Sequence, residues 1–225
     1  MYRKYIKRAL DFVIALIALI ILSPVLLVLS ALVLIKLGRP VLFAQKRPGR
    51  GEKIINMYKF RSMTDARDGE GNLLPDSERL TGFGKTLRST SLDELPELIN
   101  ILKGDMSIVG PRPQLVKDMV FMTPEQRARH TVLPGLTGLA QINGRNAIGW
   151  EDRLKYDLEY IEDITFKKDI SIMLSTAGRV VRRSGISQQG MDTSEDLGDY
   201  LVGTGEISED DYAEKMEAAR ELISR

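Results

Sequence analysis

Residues 12–35 read FVIALIALIILSPVLLVLSALVLI, without one charged side chain. As a straight helix this run would reach about 36 Å, more than the roughly 30 Å hydrocarbon core of a bilayer. Two features depart from a simple span. Pro24, in the middle, has no N–H for the Ile20 carbonyl, and its ring crowds that carbonyl. The helix is expected to kink or break there. Ser23 beside it can turn its hydroxyl back to the Leu19 carbonyl. The flanks are the second feature. Arg3, Lys4, Lys7 and Arg8 precede the run, and Lys36, Arg39, Lys46, Arg47 and Arg50 follow it. Basic flanks favour the cytoplasmic side, so both ends are drawn to the same face. A helix broken at Ser23-Pro24 that enters and leaves through one leaflet satisfies both, since each half of about 18 Å is too short to span. The expected anchor is therefore re-entrant, over residues 1–38. A kinked spanning helix is the alternative. A cleaved signal peptide does not fit, because the run is too long and no small-residue cleavage site follows.

Beyond the anchor the pattern shortens. Gly38-Arg39-Pro40 stops the helix. Residues 41–44 and 53–60 read as strands around a basic turn at 45–51, a hairpin at the membrane surface. Residues 64–77 are a polar loop. Leu95, Leu98, Ile99 and Leu102 fall at helical spacing, with Gly104 placed to end the helix. Thr123-Pro124 begins another helix as N-cap and N1. Residues 132–146 are Gly-rich with room for one short strand. Residues 150–161 and 170–181 read as helices, the second amphipathic. After residue 188 the chain turns polar, and Ser208 with Asp211 resembles a capping box opening a last helix to Ile223. The expected fold is α/β, helix-dominated with a small β-sheet and with helices lying at the membrane surface. A catalytic domain spans residues 39–190, and residues 191–225 form a peripheral acidic tail, suited to a partner or a second copy.

Composition narrows the chemistry. Of 225 residues 28% are charged, nearly all outside the apolar run, so the remainder reads as a folded polar-surfaced domain. The net charge of +1 hides a basic N-terminal region beside the anchor, which suits anionic head groups. No base-stacking aromatic pattern accompanies it, which speaks against nucleic acid. There is no Cys and one His, His130, so thiolate sites, disulfides and Ser-His-Asp chemistry lack support. Catalytic work falls to carboxylates, Arg and Lys.

Asp93-Glu94 is the strongest candidate. Ser91-Leu92-Asp93-Glu94 also has the form of a capping box, and acids in a first turn offset the helix dipole. The functional reading draws on context: Lys85 and Arg88 lie upstream, and Arg112 is fixed between Pro111 and Pro113. A helix N-terminus with nearby cations suits phosphate, and a carboxylate in that field stays ionised. It can attack phosphorus or bind a hard cation such as Mg²⁺. Prolines on both sides of Arg112 aim its guanidinium in advance, though a plain rigid turn has the same sequence. Gly144-Arg145-Asn146 suits a phosphate or sugar, or is an ordinary loop. Asp157 and Asp169 read as solvated surface acids, His130 as structural and Trp150 as core.

Taken together, these motifs resemble the small monotopic phosphoglycosyl transferases of the PglC type. The resemblance rests on Ser23-Pro24, KRPG at 46–49, YKFRSM at 58–63, RSTSLDELPELINILKGDMSIVGPRP at 88–113, PGLTGLAQINGRN at 134–146 and RSGIS at 183–187. It implies an enzyme on the cytoplasmic face of the bacterial inner membrane that moves a phospho-sugar from a UDP-sugar to polyprenyl phosphate and releases UMP. It implies Asp93 as nucleophile, a phosphosugar–aspartate intermediate, and Glu94, with Asp93, at Mg²⁺. Arg88, Arg112 and Arg145 would bind phosphate or the UDP moiety, and Lys59 and Asp157 match family positions. NGRNAIGW at 143–150 favours an N-acetylated amino sugar such as di-N-acetylbacillosamine, with UDP-GlcNAc or UDP-GalNAc as runner-up. A homodimer or pathway glycosyltransferases are possible partners. The rivals are a UDP-sugar pyrophosphatase and a non-enzymatic membrane scaffold.

Overall fold

The apolar run folds into one helix, α1 (Lys7–Leu37), entered through a π-helical turn at Tyr2–Ile6. The computed structural model describes residues 1–144, 148–182 and 195–224. Helix α1 continues through Pro24, so the chain does not leave the helix at Ser23-Pro24 as the broken-helix expectation had it. The Ser23 hydroxyl donates to the Ile20 carbonyl at 2.8 Å, not to Leu19 as expected. Ile20 is the carbonyl that Pro24 leaves without an N–H, so the hydroxyl repairs the gap directly.

One stripe of α1 faces the rest of the protein along its whole length. Ile14, Ala15, Ala18, Leu19 and Leu22 pack against Leu98, Ile101, Met106 and Ile108. Leu26, Leu29, Val33 and Leu37 pack against Phe60, Leu87, Leu92 and Leu95. The opposite face exposes Phe12, Val13, Leu16, Ile17, Ile20, Ile21, Leu27, Val28, Leu32 and Ile35. Both ends are tied to the same body. Arg8 donates to the carbonyls of Ile101 (2.6 Å) and Leu102 (3.0 Å), and Arg61 reaches the Arg39 carbonyl at 2.6 Å.

The hairpin forms as expected, but with a longer first strand. β1 (Leu42–Pro48) pairs antiparallel with β2 (Ile54–Phe60), Phe43 facing Lys59 and Pro48 facing Ile54. The tight turn is thus confined to residues 49–53, with Gly51 at φ +64°. Short helices α2 (Asp76–Arg79) and α3 (Gly82–Ser89) follow, the latter capped by Thr81. A 3₁₀ turn at Leu92–Glu94 leads into α4 (Glu97–Lys103), which Gly104 ends at φ +91°. β3 (Ser107–Val109) pairs in parallel with β4 (Gly135–Thr137), so among the described residues there are two two-stranded sheets in place of the one expected. Between them lie α5 (Val116–Met119) and α6 (Pro124–Arg127), the second capped by Thr123. After β4 come α7 (Leu139–Ile142), α8 (Trp150–Glu162) and α9 (Phe166–Arg182). The last two helices are α10 (Leu197–Gly203) and α11 (Glu209–Ser224), the latter opened by Ser208, whose hydroxyl accepts from Asp211 N at 3.1 Å.

Three expectations change. In α4 the buried residues are Glu97, Leu98, Asn100 and Ile101, while Ile99 is exposed. The helix is covered from two sides, by α1 and by β2, so a single apolar stripe does not describe it. Asp169 is buried: it accepts from Tyr2 Oη (2.6 Å), Lys7 Nζ (2.6 Å) and Tyr160 Oη (2.7 Å). The tail is not peripheral. Leu197, Tyr200, Leu201, Tyr212 and Met216 share a second core with Phe121, Met122, Trp150 and Leu154.

Asp169 holds the start of α1 to α8 and α9 through one buried carboxylate. Asp169→Ala strands Lys7 and two hydroxyls together, and is expected to cost roughly 3 kcal/mol. Thermal melts in detergent, with Tyr160→Phe as a milder comparison, check this.

Candidate active site

The site is built where α4, β2 and the segment after β3 meet. Strand alternation sends Ile55, Met57 and Lys59 to one face of β2, so Lys59 follows two buried apolar residues inward. Asn100 sets the register of α4 on that strand. Its Oδ1 accepts from Tyr58 N at 3.0 Å and its Nδ2 donates to the Asn56 carbonyl at 2.7 Å. Upstream, Ser91 turns the chain in the left-handed region at φ +55° and makes no capping bond to the turn that follows. The expected capping box is therefore absent. Glu94 turns away from the backbone and meets Lys59 Nζ at 3.0 Å and both terminal nitrogens of Arg112.

Arg112 is held from behind. Gly110 N donates to the Thr137 carbonyl and Gly135 N to the Pro111 carbonyl, both at 2.9 Å. The two loops touch so closely that a Cβ on Gly135 would lie 2.2 Å from Gly110 N. The Arg112 carbonyl accepts from Arg129, whose guanidinium is fully buried against Asp157 (Nε 2.9 Å, Nη2 2.7 Å). Asp157 is thus no surface acid. It sits behind Arg112 and holds it through Arg129.

The structure brings Lys59, Arg88, Asp93, Glu94 and Arg112 together electrostatically. Burial pushes the Asp93 carboxyl up to about 6 and Glu94 adds to this; Lys59, Arg112 and Arg88 oppose it without keeping it low, contrary to the expectation of a carboxylate held ionised by its cations. No hydrogen bond or ion pair to the Asp93 carboxylate is found among the described residues. Burial also raises Glu94, but Arg112 and Lys59 outweigh it and hold Glu94 below the usual carboxylate range. Arg88 donates to Ser62 Oγ at 3.0 Å at the edge of the group. Arg145 lies outside the described residues, as do residues 183–187. His130 is buried, and burial and Arg129 lower it to about 4, in keeping with a structural role.

Glu97 was missed by sequence reasoning. It is fully buried, Lys59 Nζ is 3.3 Å from its Oε1, and neither oxygen accepts a hydrogen bond among the described residues. Burial pushes it up to about 7. The signal was its position: it lies three and four residues from Glu94 and Asp93, and one turn from Ile101, on the covered side of α4. Arg129 and Asn100 carried no comparable mark, because their partners are distant in sequence.

The oxygen donors here suit a hard dication. No group of three acidic or His side chains able to hold a metal occurs among the described residues. If a hard dication binds, Asp93 and Glu94 are the oxygen donors that would hold it, and the remaining ligands would have to come from substrate phosphates and water.

Residues 2–183 match the family model of bacterial sugar transferases. The chain belongs to this family. This sugar transferase is 45% identical over 203 residues to the uncharacterized sugar transferase EpsL of Bacillus subtilis, covering 90% of this chain and 98% of that one. It is 41% identical over 180 residues to a UDP-glucose:undecaprenyl-phosphate glucose-1-phosphate transferase of Klebsiella pneumoniae, and 34% identical over 189 residues to a UDP-N-acetylgalactosamine-undecaprenyl-phosphate N-acetylgalactosaminephosphotransferase of Aeromonas hydrophila. Those matches cover 76% and 80% of this chain but only 39% and 45% of the relatives. The sugar transferase thus spans less than half the length of these two relatives.

A raised carboxylate pKa means that the folded state prefers the protonated form. Stability drawn from Asp93 is complete at low pH and is lost as pH rises through about 6. Asp93→Asn, without added divalent cation, is expected to raise Tm by several degrees at pH 8. The gain should shrink towards zero by pH 4, as read by differential scanning fluorimetry.

Proposed function

We propose that the protein transfers a phospho-sugar from a UDP-sugar to polyprenyl phosphate and releases UMP, by a ping-pong reaction through Asp93. The observation that carries this is the buried Asp93 carboxyl, without a hydrogen bond or ion pair among the described residues and raised to about 6, beside Lys59, Arg88 and Arg112. Desolvation makes such an oxygen nucleophilic, and the cations neutralise the anion that it must attack. An Asp93 oxygen forms a bond to the β-phosphorus, and the bond from that phosphorus to the bridging oxygen breaks. The electron pair leaves on UMP. An oxygen of the lipid phosphate then attacks the same phosphorus, and the Asp93 carboxylate is released. Lys59 and Arg112 are held by Glu94 and, through Arg129, by Asp157, so their charges are in place before the substrate arrives. Mg²⁺, when bound at Glu94 and Asp93, supplies further charge neutralisation on the diphosphate.

The relatives' names support this reading. They cite UDP-glucose, UDP-N-acetylgalactosamine and galactose with undecaprenyl phosphate. For the donor we place an N-acetylated amino sugar such as di-N-acetylbacillosamine first, with UDP-GlcNAc and UDP-GalNAc next. The anchor reading is that α1 enters and leaves through the cytoplasmic leaflet. It draws on the attachment of both ends of α1 to one body and on the apolar outer face between them.

Two outcomes are expected. Detergent-solubilised protein with undecaprenyl phosphate, Mg²⁺ and a panel of UDP-sugars should release UMP with one donor only when lipid is present. Asp93→Asn should lower the rate at least 10³-fold. UMP without lipid dependence would identify a hydrolase, and full activity in Asp93→Asn would overturn the mechanism. Reporters fused to the two termini should both lie on the cytoplasmic face, and opposite faces would rule out the re-entrant anchor.

A further inference from the structure

The family match ends at residue 183, yet the chain continues through α10 and α11. These helices do not rest on a neutral surface. They grip the three segments that carry or support the site. Trp150, which opens α8, donates from Nε1 to the Glu195 carbonyl at 3.0 Å. Lys215 of α11 donates to the Val120 carbonyl at 3.1 Å, just past α5. Lys46 of β1, in the hairpin that bears Lys59, donates to the Ile223 carbonyl. Phe121 stacks on Tyr212 with ring centroids 5.4 Å apart.

At the centre is Asp118, a buried acid that the chemistry above does not use. Its Oδ2 accepts from Leu115 N at 2.9 Å, and its Oδ1 accepts from Leu197 N at 3.0 Å. Leu115 lies three residues beyond Arg112, and Leu197 begins α10. Beside this pair of bonds, Lys117 forms an ion pair with Asp196. One carboxylate thus fastens the segment that leaves Arg112 to the first residue of the tail. A buried carboxylate that accepts two backbone N–H groups fixes both chains at once, and losing either donor leaves an unsatisfied acceptor.

We propose that α10 and α11 form a clasp that holds the Arg112 segment in place, with Asp118 as the positioning residue through which it acts. The proposal rests on the reading of Arg112 as a phosphate-binding residue. The clasp ties β1, α5 and α8 together behind the site, so the spacing of Lys59 and Arg112 around Glu94 depends on a part of the chain outside the family match.

The single tryptophan makes this testable, because Trp150 lies under the clasp. A Cβ on Gly198 would come within 2.6 Å of the Phe121 ring and 2.8 Å of the Tyr212 ring, so Gly198→Val should lift α10. The full-length variant is compared with wild type by Trp emission, by hydrogen exchange of residues 112–119 and by donor kinetics. We expect a red-shifted emission, at least tenfold faster exchange in 112–119, and a KM for the UDP-sugar raised about tenfold with kcat within threefold. A red shift with unchanged exchange in 112–119, or no red shift, overturns the clasp. If Gly198→Val does not fold, Lys117→Glu and the charge-swapped pair Lys117→Glu/Asp196→Lys take its place. The single change should speed exchange in 112–119 and the pair should restore it, and no change in the single variant overturns the clasp. Emission and exchange need no substrate, so a wild type inactive on every donor would count against the transferase reading alone.

Discussion

Three carboxylates within five residues, Asp93, Glu94 and Glu97, are taken out of water together, and most of the site follows from how their charge is met. Burying an unpaired carboxylate is costly, so cations must come to them or protons must stay on them. Both solutions appear. Lys59 and Arg112 converge on Glu94, which remains ionised. Asp93 and Glu97 have their pKa values raised instead. Among the described residues, Asp93 is the one of the three that no cation meets directly.

That arrangement depends on positions set from a distance. Lys59 is aimed by strand alternation and registered by Asn100. Arg112 is set by two glycine-lined loops, by Arg129 and, behind it, by Asp157. Each support is buried and hydrogen-bonded, which is how a charged site is kept in shape before a ligand arrives. Helix α1 closes the other side of α4, and its outer face is left almost wholly apolar. The turn that carries Asp93 packs on this helix through Leu92 and Leu95. That placement suits the lipid-phosphate acceptor proposed above.

Much of this was legible beforehand because it is local. The apolar run, its basic flanks, the hairpin, the caps at Thr123 and Ser208 and the stop at Gly104 depend on residues a few positions apart. The grouping of Arg88, Asp93 and Glu94 is equally local, whereas Arg112 reaches Glu94 from 18 residues away. Where local patterns competed, they misled. Ser91 to Glu94 has the form of a capping box, but Glu94 finds stronger partners in two cations. The apolar spacing of α4 pointed to one covered face, while α1 and β2 cover two.

Hydrophobic period, turn residues and charge act over short range, so the long apolar helix, the hairpin, the larger helices and the chemical types available at the site could be read from the sequence. Which acids find partners depended on contacts between distant parts of the chain. Asp157 and Asp169 look like surface acids until Arg129, Lys7, Tyr2 and Tyr160 are brought to them from distant parts of the chain. The polar tail looks detachable until Leu197 and Tyr212 meet Phe121 and Trp150. A few apolar residues on a charged helix say little about burial until the surface that receives them exists.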